Sequence, residues 1–325
     1  MRNHMVGLLK STVRLASVAC AVAVAAALAA PGYVARPGTV NYAEGTVTVA
    51  GQAIGAKQLG QTEVAPGQVL ETAQGKAEML LTPGVLLRIG DNTAVRMVSP
   101  SLTDTRVDLL RGEAMIEAQQ VKDENRIAIA DNGVDTLIEK KGLYRFDADQ
   151  PMVSVYDGKV KVLADDRTIE VGKGKELALG TETKARKFDR DRTDELYAWS
   201  KLRSSYMAEA NEASAQTIVV DGLNWGGPGW YWNRWYGTWA FLPGTGYLTS
   251  PFGFGYYSPG YWYSVGPRFY PYRYRIVPVQ PGPVFRAPSG RGMTRGIGPA
   301  HGSGPAHGRP SQPAGRPSLG RGARM

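Results

Sequence analysis

The feature that most constrains this chain is a period of two. Between residues 38 and 182 apolar side chains recur at every second position. They do so in Val47/Val49, Ala77/Met79/Leu81, Val85/Leu87/Ile89, Val95/Met97, Ile127/Ile129, Val153/Val155 and Val160/Val162. Alternation puts such side chains on one face of a pleated strand. Turn formers punctuate the runs at Pro66-Gly67, Pro83-Gly84, Gly90-Asp91-Asn92 and Asp157-Gly158. About ten short strands with turns at this spacing predict an all-β domain over 38–182. Asp157-Gly158, between Val153/Val155 and Val160/Val162, predicts a tight hairpin, because both central residues of such a turn want positive φ.

Residues 190–216 change period. Leu196, Trp199, Leu202, Tyr206 and Ala210 fall three to four apart, one stripe of an amphipathic helix expected to dock on the β-domain. A partner-binding helix is the alternative. Asp191 or Thr193 is the expected cap, with Asp194 and Glu195 suited to the first turn.

Residues 222–285 are rich in aromatics, with Gly and Pro filling much of the rest, which argues against long regular elements. No charge occurs from Trp235 to Pro267, and Ser-Pro recurs at Ser250-Pro251 and Ser258-Pro259. Residues 286–325 are Gly-, Pro- and Arg-rich, and disorder is the expectation there. Gly298-Pro299-Ala300-His301-Gly302 repeats as Gly304-Pro305-Ala306-His307-Gly308. No Asp or Glu follows Asp221, whereas arginines continue from Arg234 to Arg324. The net charge of +9 is therefore a nearly neutral body with a cationic tail.

The N-terminus reads as a secretory signal over residues 1–29. Arg2, Lys10 and Arg14 precede an apolar stretch from Leu15 to Ala29, and Ala27-Leu28-Ala29 fits the small-x-small cleavage rule. The expected location is the periplasm or cell envelope, with an uncleaved membrane tether as the alternative. Cys20 is the only cysteine. Val18-Ala19-Cys20 is similar to the end of a lipobox, but Ser17 stands where a large aliphatic residue belongs. The folded body must hold itself together by packing, without disulfides.

Catalytic chemistry is mostly excluded. The three histidines are His4, His301 and His307, none of them in the body. Histidine-based triads and His/Cys zinc sites therefore cannot form there. Gly172-Lys173-Gly174 is a lone turn, and no P-loop occurs. Asp189, Asp191 and Asp194 lack the glycine and distal glutamate of a calcium loop, and Asp165/Asp166 sit in a polar turn. No catalytic, cofactor or metal residues are assigned. The candidate contacts are Trp225, Trp230, Trp232, Trp235, Trp239, Trp262, Arg234 and Arg273, whose rings and guanidinium groups suit stacking on sugar faces or acidic polymers. The competing expectation is that the rings pack on one another and on the β-domain. Nucleic acid is not an expected partner of an exported protein.

The β-region resembles the FecR domain, the periplasmic module of iron-transport sensor proteins. The resemblance rests on Gly45-x-Val47, the run Pro66 to Thr72, Gly75 to Leu81, Pro83 to Ile89 and Asn92-Thr93. It continues with Val107 to Ala114, Gly142 to Phe146, Val153 to Val160 and Val171 to Gly174. It implies a β-solenoid or rolled sheet that works by protein contact rather than catalysis. Family sensors place a sigma-binding region before a membrane helix, whereas here only about 14 residues precede the apolar run. The expected function is a non-catalytic envelope binding or scaffolding protein, with an envelope protein or a cell-wall or extracellular glycan as partner. The alternative is a periplasmic regulator acting through a membrane partner.

Overall fold

In the computed structural model, which describes residues 35–164, 167–222 and 225–269, the alternating stretch folds as fifteen strands of one sheet. These residues belong to one unit, Met1–Pro278, and a second unit, Val279–Met325, lies outside them. The signal at 1–29, the tail at 286–325, Asp165/Asp166, Arg273, His301 and His307 also lie outside the described residues.

In chain order the strands are β1 (Val40–Val49), β2 (Gln52–Ala53), β3 (Val69–Leu80), β4 (Val85–Ile89), β5 (Ala94–Pro100), β6 (Asp104–Arg111), β7 (Glu113–Ala118) and β8 (Arg126–Asp131). There follow β9 (Val134–Ile138), β10 (Gly142–Asp147), β11 (Met152–Asp157), β12 (Lys159–Ala164), β13 (Arg167–Gly172), β14 (Lys175–Ala178) and β15 (Arg186–Lys187). Every pairing is antiparallel except β6 with β8. The spatial order is β13-β12-β9-β8-β6-β5-β3-β4-β7-β10-β11-β14-β15, with β1 paired to β3 and β2.

Strand β3 is the spine. Its first residues, Val69–Glu71, pair with β5, and its last, Ala77–Leu80, pair with β4. The chain then lays hairpins alternately on the two sides of this spine. β5/β6, β8/β9 and β12/β13 build one half, and β4/β7, β10/β11 and β14/β15 build the other. Both halves contribute to a single core that includes Leu70, Val95, Val107, Ile129 and Val160 from one side and Met79, Leu87, Ile116, Phe146 and Val153 from the other. The two halves therefore face each other across that core. The ends of the sheet approach between β13 and β14 without a ladder between them. Of the two expected forms, this is the rolled sheet rather than the solenoid.

Asp157-Gly158 does not make the expected hairpin. β11 pairs with β10 and β14, while β12 pairs with β9 and β13. The pair is instead a crossing point, where one residue carries the chain from one half of the roll to the other. Gly158 has φ of 89°, and a Cβ there would stand 2.2 Å from Tyr144 Oη. That phenol donates to Lys140 O at 2.5 Å and accepts from Lys159 N at 3.2 Å, closing the corner. A β-turn signal cannot distinguish the two outcomes, because a crossing needs the same left-handed backbone. The tight two-residue turn lies at Asn132-Gly133, with φ of 49° and 77°, between the paired residues Asp131 and Val134.

The helix expected over 190–216 is α1 (Glu195–Val220). Asp194, not Asp191 or Thr193, caps it, accepting from Tyr197 N at 2.7 Å. The buried face also differs from the expected stripe. Leu196 and Ala210 are buried, but Leu202 and Tyr206 are about half exposed. The rest of the buried face is Ser200, Arg203, Ser204, Met207, Asn211, Ser214 and Ala215. Small and hydrogen-bonding residues face inward here because the surface beneath α1 carries charges.

The described part of the aromatic stretch, residues 225–269, is folded. It forms the hairpins β16 (Gly229–Asn233)/β17 (Thr238–Leu242) and β18 (Tyr247–Thr249)/β19 (Gly255–Tyr257), then α2 (Pro259–Phe269). The second Ser-Pro pair starts this helix: Ser258 Oγ accepts from Tyr261 N at 3.2 Å, and Pro259 takes the first helical position. In the first pair, Ser250 Oγ accepts from Phe254 N at 3.2 Å within the β18–β19 turn.

One group in the roll is in conflict with neutral pH. Asp131, at the end of β8, is 1% exposed, and neither carboxylate oxygen has a hydrogen-bond partner. Burial, with added repulsion from Asp147 and Asp149, pushes it from 3.8 up to about 7. The folded state thus holds a proton that the unfolded chain releases, so stability falls as pH rises from about 4 to 7 and is level above. Asp131→Asn should match the wild type near pH 4 and exceed it by roughly 2–4 kcal/mol above pH 7. Thermal denaturation across pH 4–8 checks this, and a gain that does not vary with pH would contradict it.

Candidate functional site

Half of the roll is covered on both faces. In β4 all five residues are buried. Val85, Leu87 and Ile89 face the core, while Leu86 and Arg88 face outward under α1 and the aromatic hairpins. Leu80 and Leu86 pack there with Met207, Trp239, Phe241 and Tyr256. Further along, Met115, Leu143 and Tyr156 pack with Leu196.

Between these apolar patches lies a closed set of charges. Arg88 Nε donates to Glu78 Oε2 at 2.8 Å, and Arg88 Nη1 to Glu117 Oε2 at 2.6 Å, with all three side chains at 0% exposure. Arg203 of α1 reaches Glu78 Oε1 at 2.9 Å from above. Ser204 Oγ donates to Glu117 Oε1 at 2.7 Å, and Asn41 Nδ2 to Glu78 Oε1 at 3.0 Å. Two carboxylates thus meet two guanidinium groups, with no net charge. Burial pushes Glu78 up, but Arg203 and Arg88 outweigh it and hold the carboxyl at about 2. Arg88 is driven up against its own desolvation by Glu117 and Glu78. Arg203 also lies over the Tyr42 ring, 4.0 Å from its centre.

Three buried asparagines tie the aromatic hairpins to this base. Asn41 accepts from Trp239 N at 2.8 Å and donates to Trp239 O at 3.3 Å, pairing with β17 as another strand would. Asn211 of α1 does the same between hairpins, donating to Phe241 O at 2.7 Å and accepting from Tyr257 N at 2.7 Å. Asn233 donates to Ala210 O at 3.1 Å while its oxygen accepts from Trp235 N and Tyr236 N across the β16–β17 turn. At the helix start, Arg145 bridges Glu113 and the capping Asp194, and Lys76 meets Glu195 at 2.7 Å.

The candidate contact residues separate on this framework. Trp239 is structural: it is 4% exposed, and its indole donates to Gly60 O at 2.8 Å. Trp230 is half-buried, edge-on to Phe241 at 5.8 Å. Trp225 and Trp262 are half-buried. Trp232 is 43% exposed, with its inner edge on Gly60, where a Cβ would come within 2.3 Å of the ring. Trp235 is 55% exposed in the turn, with the Arg234 guanidinium 4.7 Å above it. Of the candidate tryptophans the exposed ones, Trp232 and Trp235, thus lie on the first hairpin, joined by Tyr236, while Arg273 lies outside the described residues.

Sequence reasoning missed Glu78, Arg88, Glu117 and Arg203. A signal existed. Each strand charge interrupts an apolar run, as in Ala77-Glu78-Met79-Leu80-Leu81 and Val85-Leu86-Leu87-Arg88-Ile89. A charge alternating with leucine on the supposed outer face marks a strand buried on both sides. Among the described residues no group of three or more His, Cys, Asp or Glu could hold a metal ion. A polar cavity of about 490 Å³ near the start of α1 is lined by Arg145, Asp147, Glu176, Phe188, Arg192 and Asp194 among others. Arg145 and Glu176 are already paired there, with Glu113 and Asp194 and with Arg186.

Removing Arg88 would leave Glu117 buried without a cation and Glu78 with Arg203 alone. Arg88→Met is expected to cost about 3–5 kcal/mol in chemical denaturation. Neutralising Glu117 in the same chain, as Arg88→Met/Glu117→Gln, leaves Glu78 paired with Arg203 and should recover most of that loss. A double variant no more stable than Arg88→Met would show that the ion pairing does not carry the effect.

No curated protein matches the chain. Two crystal structures, each of a protein assigned as an anti-sigma factor from Parabacteroides distasonis ATCC 8503, are similar in part. One is 16% identical with a TM-score of 0.34, covering 41% of this chain and 64% of its own. The other is 13% identical with a TM-score of 0.35, covering 54% of this chain and 98% of its own. Residues 67–161 match the family model described as FecR protein. That match runs from the turn before β3 into β12, through the spine, the crossing at Gly158 and three of the four buried charges, and it identifies this stretch as a FecR domain.

Proposed function

We propose that the protein is a non-catalytic, exported component of the cell envelope that binds and scaffolds. The FecR domain contacts protein, and the aromatic hairpins contact cell-wall or extracellular glycan. The observation that carries the glycan half is the exposure of Trp232 and Trp235, with Arg234 over the latter, on a hairpin pinned by Asn233. Rings held still lose little conformational entropy on stacking against a sugar face. Export rests on the signal-like residues 1–29 and places that surface where such polymers are found. Glu78 and Glu117, the two carboxylates that share Arg88 beneath α1, are fully buried and neutralised, which favours binding over hydrolysis.

Trp232→Ala/Trp235→Ala should reduce pelleting of the protein with insoluble cell-wall glycan about tenfold or more, taking each ring near the lower end of the roughly 1–3 kcal/mol that an aromatic ring gains by stacking on a nucleobase. Trp262→Phe, which keeps a ring at a half-buried position, serves as the comparison. Unchanged pelleting of a folded double variant would remove the glycan half.

A second reading is favoured by the FecR domain itself. The chain would act as a periplasmic regulator through a membrane partner, and the outward Leu202 and Tyr206 of α1 would be the residues free to meet it. Crosslinking in intact cells should then recover one specific membrane protein, lost with Leu202→Ser/Tyr206→Ser. Recovery of cell-wall material alone would dismiss this reading.

A further inference from the structure

The second aromatic hairpin carries a cluster that neither reading uses. Tyr247 and Tyr257 are directly opposed across β18–β19, with ring centres 5.2 Å apart and planes at 43°. Tyr261, on the first turn of α2, stands 6.1 Å from each. Gly255, diagonal to Tyr247 on the facing strand, opens the space between them. A Cβ there would stand 2.7 Å from Tyr247 Cε2, 3.1 Å from Tyr247 Oη and 3.2 Å from Tyr257 Oη. Cε2 is the ring carbon ortho to the hydroxyl. One reactive carbon of Tyr247 and the phenol ends of both rings therefore converge on the same small gap. Tyr247 is 44% exposed, so a diffusing oxidant can reach it.

We propose that Tyr247 and Tyr257 form an oxidative cross-linking site, joined carbon to carbon as dityrosine by a peroxide and a haem peroxidase. Each phenol gives up one electron and its O–H proton. The two ortho carbons bond, and each ring regains its hydroxyl by passing the displaced ortho hydrogen to oxygen. The peroxide accepts the two electrons and two protons and leaves as two waters. Such a bond suits this place. The strands of the hairpin are three residues long, below what a two-stranded ribbon needs to hold itself. The only cysteine of the chain, Cys20, lies outside the described residues, so no disulfide can staple this hairpin. A covalent link across β18–β19 would fix it on the Asn211 anchor.

The pair Tyr156–Tyr197 supplies an internal control. Its rings are as close, 5.1 Å, but Tyr156 is only 7% exposed. The dilute full chain would be treated with horseradish peroxidase and hydrogen peroxide, then read by dityrosine fluorescence and by mass spectrometry of cross-linked peptides. The expected result is an intramolecular Tyr247–Tyr257 pair at least tenfold over Tyr156–Tyr197, with most of the fluorescence lost in Tyr247→Phe. Gly255→Ala keeps both phenols but fills the gap, and it should lower the Tyr247–Tyr257 yield severalfold while the fold, followed by circular dichroism, is retained. Coupling spread evenly over the exposed tyrosines, an equal yield from the buried pair, or no effect of Gly255→Ala would each overturn the proposal.

Discussion

Everything outside the roll rests on the neutralised charges between β3, β4, β7 and α1. Glu78, Arg88 and Glu117 sit on the outer face of the sheet with no exposure to water, and Arg203 completes the set only because α1 lies over them. Charges taken out of water gain little net stability from pairing, yet they are costly to leave unpaired. The arrangement therefore selects a position for the helix more than it strengthens the fold. A helix shifted by one turn would put Ser200 or Met207 where Arg203 now meets Glu78 and leave that carboxylate with Arg88 as its one cation. That penalty fixes register where a purely apolar seam would tolerate sliding.

Once the helix is placed, the aromatic hairpins follow from backbone hydrogen bonding. Short strands rich in Gly, Pro and Trp cannot satisfy their own edges. Asn41, Asn211 and Asn233 supply side-chain amides that donate and accept as a neighbouring strand would. Trp239, Phe241 and Tyr256 then close over Leu80 and Leu86. Rings that pack inward hold the hairpins down, which leaves Trp232, Trp235 and Tyr247 standing outward on a fixed base. Burial of one set of rings and exposure of the other are consequences of the same anchoring.

Much of this was legible in the residues, and the failures are instructive. Alternation located the strands, because period two has one geometric meaning in an extended chain. It misled at Asp157-Gly158, where a left-handed glycine serves a crossing between halves as well as a hairpin. The helix was found from its spacing, but its inward face was misjudged. Of the expected stripe Leu202 and Tyr206 face outward, whereas Ser200, Arg203, Ser204 and Asn211 are inside because the surface they meet is charged and hydrogen-bonding. Of the ring residues named as contacts, Trp232 and Trp235 are exposed and Trp239 is not. Nothing local separates Trp232 from Trp239, which face each other across one hairpin.

The sequence by itself determined the all-β body, the helix after it, the aromatic segment and the want of histidine and cysteine chemistry in the folded part. These depend on periodicity and composition, which act within a few residues. Only the tertiary structure decided which strands pair, which face of α1 is buried and which rings meet solvent. Those depend on groups distant in sequence, such as Glu78 and Arg203 or Asn41 and Trp239. Whether a polar side chain belongs inside is set by the partner waiting there, and no local pattern names that partner.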